Sequence, residues 1–340
     1  MLSTYQYNQA PLDFRVEAET NVSRIIKCLD KHSDEAGLSF RSREEKLVFY
    51  THWCASFLGR DILRKELSYE RQIKAYQRCA EATALGKNPS YHALANLYYS
   101  LKKGDKTLGN PNSSRHYVQS FQQLKQTGGS SPHVLLLGFS TNYSLENLAA
   151  ILHLVGFSDS QITALDLSEE PLSTARETVG NKLYSSQIEY VQADATRQLS
   201  FQPESFDSIV THLFFTHIPH SLKRVVIANI ERLLKPESDF VNQEIILPPD
   251  IDMDKLVSYF RNLAGSYHGP EHHKTEISNW MQRFGSHPIL AFPTRSVLRE
   301  EFAFANLQLN IEREDTTNVY ERGNQMVKLD TIDFIARKRS

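Results

Sequence analysis

Apolar residues follow two different spacings along the chain, and the change between them divides the sequence into two parts. In the first part they recur every three or four residues, as in Val22, Ile25 and Leu29. That spacing is typical of amphipathic helices. A GGSSP segment at 128–132 ends it, and such Gly and Pro clusters mark breaks between elements. We therefore predict an all-helical N-terminal domain over residues 1–128.

In the second part, residues 129–340, short apolar runs alternate with helical patterns. Strands are predicted at His133–Leu137, Ile162–Asp166, Ile188–Gln192, Phe206–His212 and Asp239–Ile246, and in the segments LQLNIERED and VKLDTIDFIARKR near the end. Helices are predicted from about Ser144 and at Glu169–Val179. Alternation of strands and helices implies parallel strands joined by right-handed crossovers. The last two strands are expected to form an antiparallel pair around Gly323, so the predicted fold class is α/β with a doubly wound, mostly parallel sheet of seven strands.

The segment at 248–293 is extra material between the fifth strand and the last helix. An insertion at that point follows the carboxyl end of a strand, which is the edge where open α/β sheets bind ligands. We predict that it forms a lid over the active face.

Length and charge narrow the range of functions. A chain of 340 residues is long enough for about two domains. Its formal charge of −2, with basic and acidic residues interspersed, argues against nucleic acid as an obligatory partner. The N-terminus has no basic lead into an apolar stretch, and no uncharged apolar run reaches membrane-spanning length. We therefore expect a cytoplasmic protein with no membrane partner, and a homodimer is left open.

The three cysteines carry no sign of shared chemistry. Cys28, Cys54 and Cys79 lie far apart and lack paired CxxC spacing. Neither a disulfide framework nor a thiolate zinc site is indicated. They are interpreted as buried thiols in helices.

Three consecutive strand ends carry candidate binding residues. The first apolar run ends in a glycine turn at Gly138, and the second ends in a carboxylate, Asp166, at the separation that a strand-turn-helix-strand unit requires. The third run ends next to Asp194. In parallel sheets these ends lie at one edge. The pattern predicts a nucleoside site, with Asp166 placed to hold a ribose.

These segments, VLLLGFSTN, ITALDLSEEPLSTAR and IEYVQADAT, resemble the class I S-adenosylmethionine-dependent methyltransferases. The likeness continues in FDSIVTHLFFTHIPH, which is similar to that family's fourth strand and following loop, and in LLKPESDFVNQEII, which is similar to its helix-end turn and fifth strand. It covers Val134 to about Leu247. The resemblance implies a Rossmann-like sheet, S-adenosyl-L-methionine as the cofactor, and methyl transfer as the reaction.

The same resemblance assigns the cofactor site. It implies cofactor-binding roles for Gly138, Ser140, Asn142, Asp166, Leu167, Asp194, Ala195, Thr211 and His212. Asp166 would accept hydrogen bonds from both ribose hydroxyls, and Asp194 with the Ala195 amide would meet the adenine edge. The family's GxGxG turn is altered, since Ser140 and Asn142 replace two glycines, and Leu136 stands where an acid is often found. Asn142 is expected to keep the left-handed backbone shape of the glycine.

Other interpretations exist for the main candidates. Asp166 could instead cap the helix that begins near Glu169. His217, in the loop after the fourth strand, is a candidate general base, because its unperturbed pKa lies near neutrality. It could instead only pack, or cap the helix starting near Ser221.

Two further sets of polar residues are candidates. Glu244 interrupts a strand that should be apolar and could orient a substrate amine or the methionine part of the cofactor. In the lid, four ligand-type residues lie close together: His268, Glu271, His272 and His273. Such side chains suit zinc or iron. No HxxxH with a third ligand is present, however, so we predict no metal site.

The leading interpretation is methylation of a small-molecule metabolite by in-line displacement at the sulfonium methyl, as in biosynthetic enzymes. The helical domain would roof the acceptor. A second interpretation is non-methylating use of the cofactor, by aminobutyrate transfer or cyclisation with release of methylthioadenosine, which the altered glycine turn would suit. A third is a catalytically inactive binding or scaffold protein that keeps the fold.

Overall fold

The structure, a computed structural model, describes residues 73, 75–101, 115–138, 142–157, 159–183, 186–247, 251–286, 291–322 and 325–339. Its helices are α1 (75–84), α2 (Tyr91–Leu101), α3 (Arg115–Gln126), α4 (Asn142–Val155), α5 (Glu169–Thr178), α6 (His220–Leu233), α7 (Met253–Asn262), α8 (His273–Ser286) and α9 (Arg295–Ala303). Its strands are β1 (His133–Leu137), β2 (Ser160–Asp166), β3 (Lys182–Leu183), β4 (Ser186–Gln192), β5 (Phe206–His212), β6 (Leu234–Ile246), β7 (Leu307–Arg322) and β8 (Gln325–Lys338). None of these helices combines the length and apolar character needed to cross a membrane.

The strands form one sheet in the order β3-β4-β2-β1-β5-β6-β8-β7. From β4 to β6 all neighbours are parallel, while β8 lies antiparallel to both β6 and β7. This confirms the predicted Rossmann-like sheet of seven strands with an antiparallel last strand. The two-residue β3, which pairs antiparallel with β4, is an additional strand that was not predicted.

Both faces of the sheet are covered by helices, because alternate residues of the inner strands are apolar on each side. On one face, Leu135 and Phe240 pack with Ile230 of α6 and Phe302 of α9. Burying a side chain such as Phe240 contributes about 1.5–3 kcal/mol. On the opposite face, the neighbouring positions of the same strands pack against α3 and α4: Val134, Leu136, Val210 and Val241.

Helix α3 contributes to this sandwich. Its Phe121 is fully buried among residues of α4 and the sheet, and the Tyr117 hydroxyl donates to the Thr211 carbonyl at 2.7 Å. It therefore packs on the sheet, although it precedes the predicted division at residues 128 and 129. That division stays a prediction.

We use "cap" for helices α1 and α2 and "lid helices" for α7 and α8. Cap and lid helices share one apolar core, which includes Leu97, Leu256, Ile277, Trp280 and Met281. The predicted helical pattern is found in the described part of the cap. Cys79 is buried in α1, whereas Cys28 and Cys54 lie outside the described residues. The lid therefore packs with the cap above the end of β6, where Ile245 joins the same core.

Three predicted strand starts are wrong: β2 and β4 each begin two residues earlier than predicted, and the start of β6 differs most. The segment LKPESD resembles a helix-end turn, but β6 begins at Leu234, directly after α6, instead of at Asp239. Leu234 pairs with Phe206, and its carbonyl accepts a hydrogen bond from Lys338 Nζ at 2.9 Å. Glu237 takes up the irregularity in the strand with a φ of 58°.

Candidate functional site

The carboxyl ends of four parallel strands bring the predicted residues to one edge of the sheet. Hydrogen bonds beyond the strands continue the pairing: the Gly138 amide donates to the Leu165 carbonyl at 2.7 Å, and the Ala193 amide donates to the Asp166 carbonyl at 3.0 Å. The turns after β1, β2 and β4 are therefore held side by side. This is the crevice where open α/β sheets bind ligands.

The turn after β1 requires glycine at position 138. Gly138 has a φ of 71°, and an added Cβ would lie 2.2 Å from Cδ2 of Phe214. Ser140 lies outside the described residues. Asn142 does not keep a left-handed shape, contrary to expectation, because it is the first residue of α4. Helix α4 has therefore already begun at Asn142.

Gly138→Ala is expected to be more destabilising than Gly180→Ala, by about 1 kcal/mol. Gly180 also has a left-handed φ, of 74°, but a Cβ added there meets nothing within 4 Å. The Gly180 variant therefore measures the conformational cost alone, about 1–2 kcal/mol. Urea unfolding of both variants gives the difference. Equal losses would mean that Phe214 does not restrict this turn.

Asp166 is buried at the end of β2 and is held from two sides. Its Oδ1 accepts a hydrogen bond from the Ser168 amide at 2.9 Å and lies 3.3 Å from Nε2 of His92, in the cap. Ser168 Oγ caps α5 by accepting from the Glu170 amide. The alternative in which Asp166 caps this helix is therefore wrong.

The surroundings of Asp166 suit an adenosine group. A ribose diol presents two hydroxyl donors, which a carboxylate can accept. The neighbouring Leu167 side chain is 65% exposed, which is unusual for leucine and offers an apolar surface to a base. Gln192 holds that turn in place by donating to the Leu167 carbonyl at 3.1 Å.

Asp194, after β4, accepts hydrogen bonds within its own turn. Its Oδ1 accepts from the Thr196 hydroxyl at 2.6 Å and from the Thr196 amide at 2.9 Å. The hydrogen bond from the Thr196 side chain is the main cause that lowers the Asp194 pKa. Ala195 is buried, and its carbonyl accepts from Asn229. A carboxylate that stays ionised thus lies one strand beyond Asp166.

The loop after β5 carries His217 toward the cap. His217 is exposed, and its Nε2 lies 2.9 Å from the Tyr91 hydroxyl at the start of α2. The Tyr91 ring also stacks with Phe284 of α8, at 5.6 Å between centroids. Helix α6 begins at His220 after Pro219, without a side-chain cap, so the alternative in which His217 caps it is wrong. His217 lies where cap, lid and loop meet.

Glu244 is completely buried beneath that loop. Its Oε2 accepts from the Phe215 amide at 2.8 Å, and its Oε1 accepts from the Ile245 amide at 3.1 Å. Lys223 of α6, also buried, donates to the Phe215 carbonyl. Burial raises the pKa of Glu244 to about 7 and lowers that of Lys223 to about 8. Glu244 and Lys223 therefore hold the backbone amide and the backbone carbonyl of Phe215, respectively.

Two other predicted residues lie on the fourth parallel strand. The Thr211 side chain is fully buried, and Oγ1 has no hydrogen bond within the described part of the chain. His212, the last residue of β5, is half-buried. Their cofactor-binding roles stay predictions, and Thr211 lies deeper in the sheet than Asp166 does.

The lid histidines are engaged with aromatic residues. The His273 ring stacks on Tyr76 of α1 at 3.8 Å between centroids, and its Nδ1 lies 3.1 Å from the Tyr267 hydroxyl. Glu271 pairs with Lys274. Of these contacts, the stack between His273 and Tyr76 joins the lid helices to the cap.

The sequence interpretation missed two residues of this region, Lys223 and His92, whereas Tyr91, Tyr98 and Tyr99 were interpreted as core or interface residues on one face of a cap helix. Lys223 could have been found, because it shares a helical face with Val226, Ile227 and Ile230, and a lysine on an apolar face needs a partner. His92 gave no comparable signal, and the partner of Tyr91 could not be predicted. Both partners, Asp166 and His217, lie far away in the sequence.

Comparison with known proteins shows what this part of the chain is similar to. Residues 135–242 match the methyltransferase domain family. One similar curated protein is the O-methyltransferase cnsE of Penicillium expansum, at 30% identity over 114 residues. That match covers 34% of this chain and 38% of the relative. The chain thus matches well under half the length of this relative.

Solved structures also resemble this chain. The YcgJ protein of Bacillus subtilis has a TM-score of 0.42 at 15% identity, over 65% of this chain and 99% of that one. An S-adenosylmethionine-dependent methyltransferase of Methanosarcina mazei has a TM-score of 0.42 at 17% identity, over 64% of this chain and 97% of that one. Residues 135–242 are thus similar to a methyltransferase domain, and this match implies S-adenosylmethionine as the cofactor.

Proposed function

We propose that the protein is a methyltransferase that acts on a small-molecule acceptor enclosed by sheet edge, cap and lid helices. One observation carries the proposal: the two carboxylates expected to hold the nucleoside lie on neighbouring strand ends, while α2 and α8 meet beside them at Tyr91. An enclosed site suits a small acceptor better than a polymer. The similar protein of Penicillium expansum is an O-methyltransferase, which favours an oxygen acceptor.

Most of the rate would come from holding the acceptor in line with one carbon and keeping water out. When bound, the cofactor supplies an electrophilic methyl group. Asp166 would hold the ribose, Leu167 would contact the base, and Asp194 with Ala195 would meet the adenine edge. Glu244 and Lys223 would act through the loop, since their contacts fix Phe215 between Phe214 and His217.

His217 would remove the proton of a hydroxyl or amine acceptor. A neutral imidazole accepts a proton near pH 7, and the hydrogen bond with Tyr91 restricts how its ring can turn. Charge lost at the sulfonium would then be balanced by the imidazolium of His217. Glu244 is fully enclosed and contacts backbone amides, so its role would be to position the loop.

His217→Ala is expected to slow turnover on the order of tenfold while cofactor affinity is kept. This is smaller than the roughly 100-fold or larger effect that is usual for a general base, because the sulfonium is already a strong electrophile. Rates would be measured as S-adenosylhomocysteine formed with a panel of phenols, carboxylates and amines. His220→Ala, an exposed histidine at the start of α6, serves as the control. An unaltered rate in the His217 variant would exclude it as the base.

The by-product decides between the proposed function and its alternatives. The purified protein would be incubated with S-adenosylmethionine and the acceptor panel, and the adenosine-containing product identified by mass spectrometry. S-adenosylhomocysteine is expected. Methylthioadenosine would indicate attack at the aminobutyrate carbon, which the buried, uncharged Leu136 would suit. Tight cofactor binding with neither product would support a binding or scaffold role.

A further inference from the structure

His92 of the cap reaches into the region expected to hold the cofactor ribose. It lies in the first turn of α2, and its side chain is 13% exposed. Its Nε2 is 3.3 Å from Oδ1 of Asp166, whose own side chain is 7% exposed. A residue far away in the sequence thus shares the environment of the carboxylate that the nucleoside needs.

The second ring nitrogen of His92 has no hydrogen-bond partner among the described residues. Nδ1 is buried, and it makes no hydrogen bond within the residues that the structure describes. Buried polar atoms almost always have a partner, and leaving one without is costly. An atom of this kind next to a predicted ligand site indicates that the ligand supplies the partner.

We assign the imidazole proton to Nε2, because that nitrogen faces the Asp166 carboxylate. With the proton on Nε2, the imidazole donates toward the carboxylate, and Nδ1 then carries the lone pair. His92 Nδ1 is therefore a hydrogen-bond acceptor. What it needs is a hydroxyl or amine donor.

Asp166 leaves room for that donor. Its Oδ1 already faces the Ser168 amide and the His92 imidazole, so Oδ2 is the oxygen outside both contacts. A ribose diol has two hydroxyl donors. Oδ2 can accept from one of them, and the other requires a second acceptor nearby.

We propose that His92 is a cofactor-binding residue whose Nδ1 accepts a hydrogen bond from one ribose hydroxyl while Asp166 accepts from the other. The proposal rests on the proposed function, because it takes S-adenosylmethionine as the ligand. It adds a contact from the cap to a nucleoside site otherwise built by the sheet. The cap would then bind the cofactor as well as enclose the acceptor.

The test is calorimetric titration of the full chain with S-adenosylhomocysteine. His92→Ala and His92→Phe are expected to weaken binding by roughly tenfold, the usual effect of one lost hydrogen bond. His92→Asn, which keeps a side-chain acceptor, should recover part of the affinity. Tyr98→Phe is the control, since Tyr98 lies on the same helix but packs against Phe260 of the lid. It should bind like the unaltered protein.

Deoxy ligands identify the partner of His92. The 2′-deoxy and 3′-deoxy analogues of S-adenosylhomocysteine each lack one hydroxyl. One of them should bind the unaltered protein roughly tenfold more weakly than the parent ligand, yet lose little with His92→Ala, because the same hydrogen bond is already gone. The other analogue should lose affinity equally with both proteins.

Several results would overturn the inference. Unchanged affinity in the His92 variants would remove His92 from the site, and tighter affinity would show that it competes with the ribose. Equal losses for both analogues in both proteins would also contradict it. If the unaltered protein failed to bind S-adenosylhomocysteine, the proposed function itself would fail, which is a distinct outcome.

Discussion

We expect Lys223→Met to lower the free energy of unfolding by about 3–5 kcal/mol, because Lys223 is the cation near the buried Glu244 and its removal leaves that carboxylate uncompensated. The Lys223 ammonium donates to the Phe215 carbonyl, and the buried Glu244 carboxylate accepts from the Phe215 amide. The variant would leave that carbonyl without its donor and Glu244 without the nearby positive charge. Urea unfolding followed by circular dichroism measures the loss.

The control for this variant is the next residue on the same helix. Arg224 pairs with Glu301 at the surface and is half-exposed, so Arg224→Met should leave stability unchanged within error. The double variant Lys223→Met, Glu244→Gln should lose less than the sum of its single variants, since the charge left behind is also removed. A loss after Lys223→Met no larger than after Arg224→Met would contradict the buried pair.

Asp166→Ala is expected to weaken S-adenosylmethionine binding by about 1–3 kcal/mol, or roughly 5- to 150-fold. In the proposed function this carboxylate accepts a hydrogen bond from the ribose diol, and its loss also frees the Ser168 amide. Stability should change less than affinity. Calorimetric titration measures the dissociation constant.

A carboxylate at the other end of the same strand provides the comparison. Asp159 directly precedes β2, is exposed and accepts a hydrogen bond from Ser131. Asp159→Ala should bind the cofactor normally, because that residue lies at the amino edge of the sheet. If Asp166→Ala also bound normally, the nucleoside would have to sit elsewhere.

The sheet could be predicted from sequence because its inner strands are short apolar runs bounded by turn residues. The bounds of His133–Leu137 and Phe206–His212 were correct for this reason. The start of β6 was missed, because LKPESD reads as a turn, whereas its first residue, Leu234, pairs with Phe206. Pairing between distant segments leaves no mark in local composition.

The candidate site could likewise be predicted only in part. Asp166 and Asp194 could be placed together because each follows a strand, and parallel strands end at one edge. His92 and Tyr91 could not, because their positions depend on how α2 docks across the sheet. The lysine at position 223 is intermediate, since helical periodicity placed it on the buried face without revealing its partner.

Adjacent residues of α2 make the contacts with Asp166 and with His217. Any displacement of that helical turn that uncovers the ribose carboxylate therefore also separates Tyr91 from the imidazole. In the proposed function, exchange of the nucleoside and loss of the hydrogen bond that holds His217 would then occur in the same movement. In the proposed function, the sulfonium would therefore meet the positioned His217 only when this turn of α2 contacts both residues.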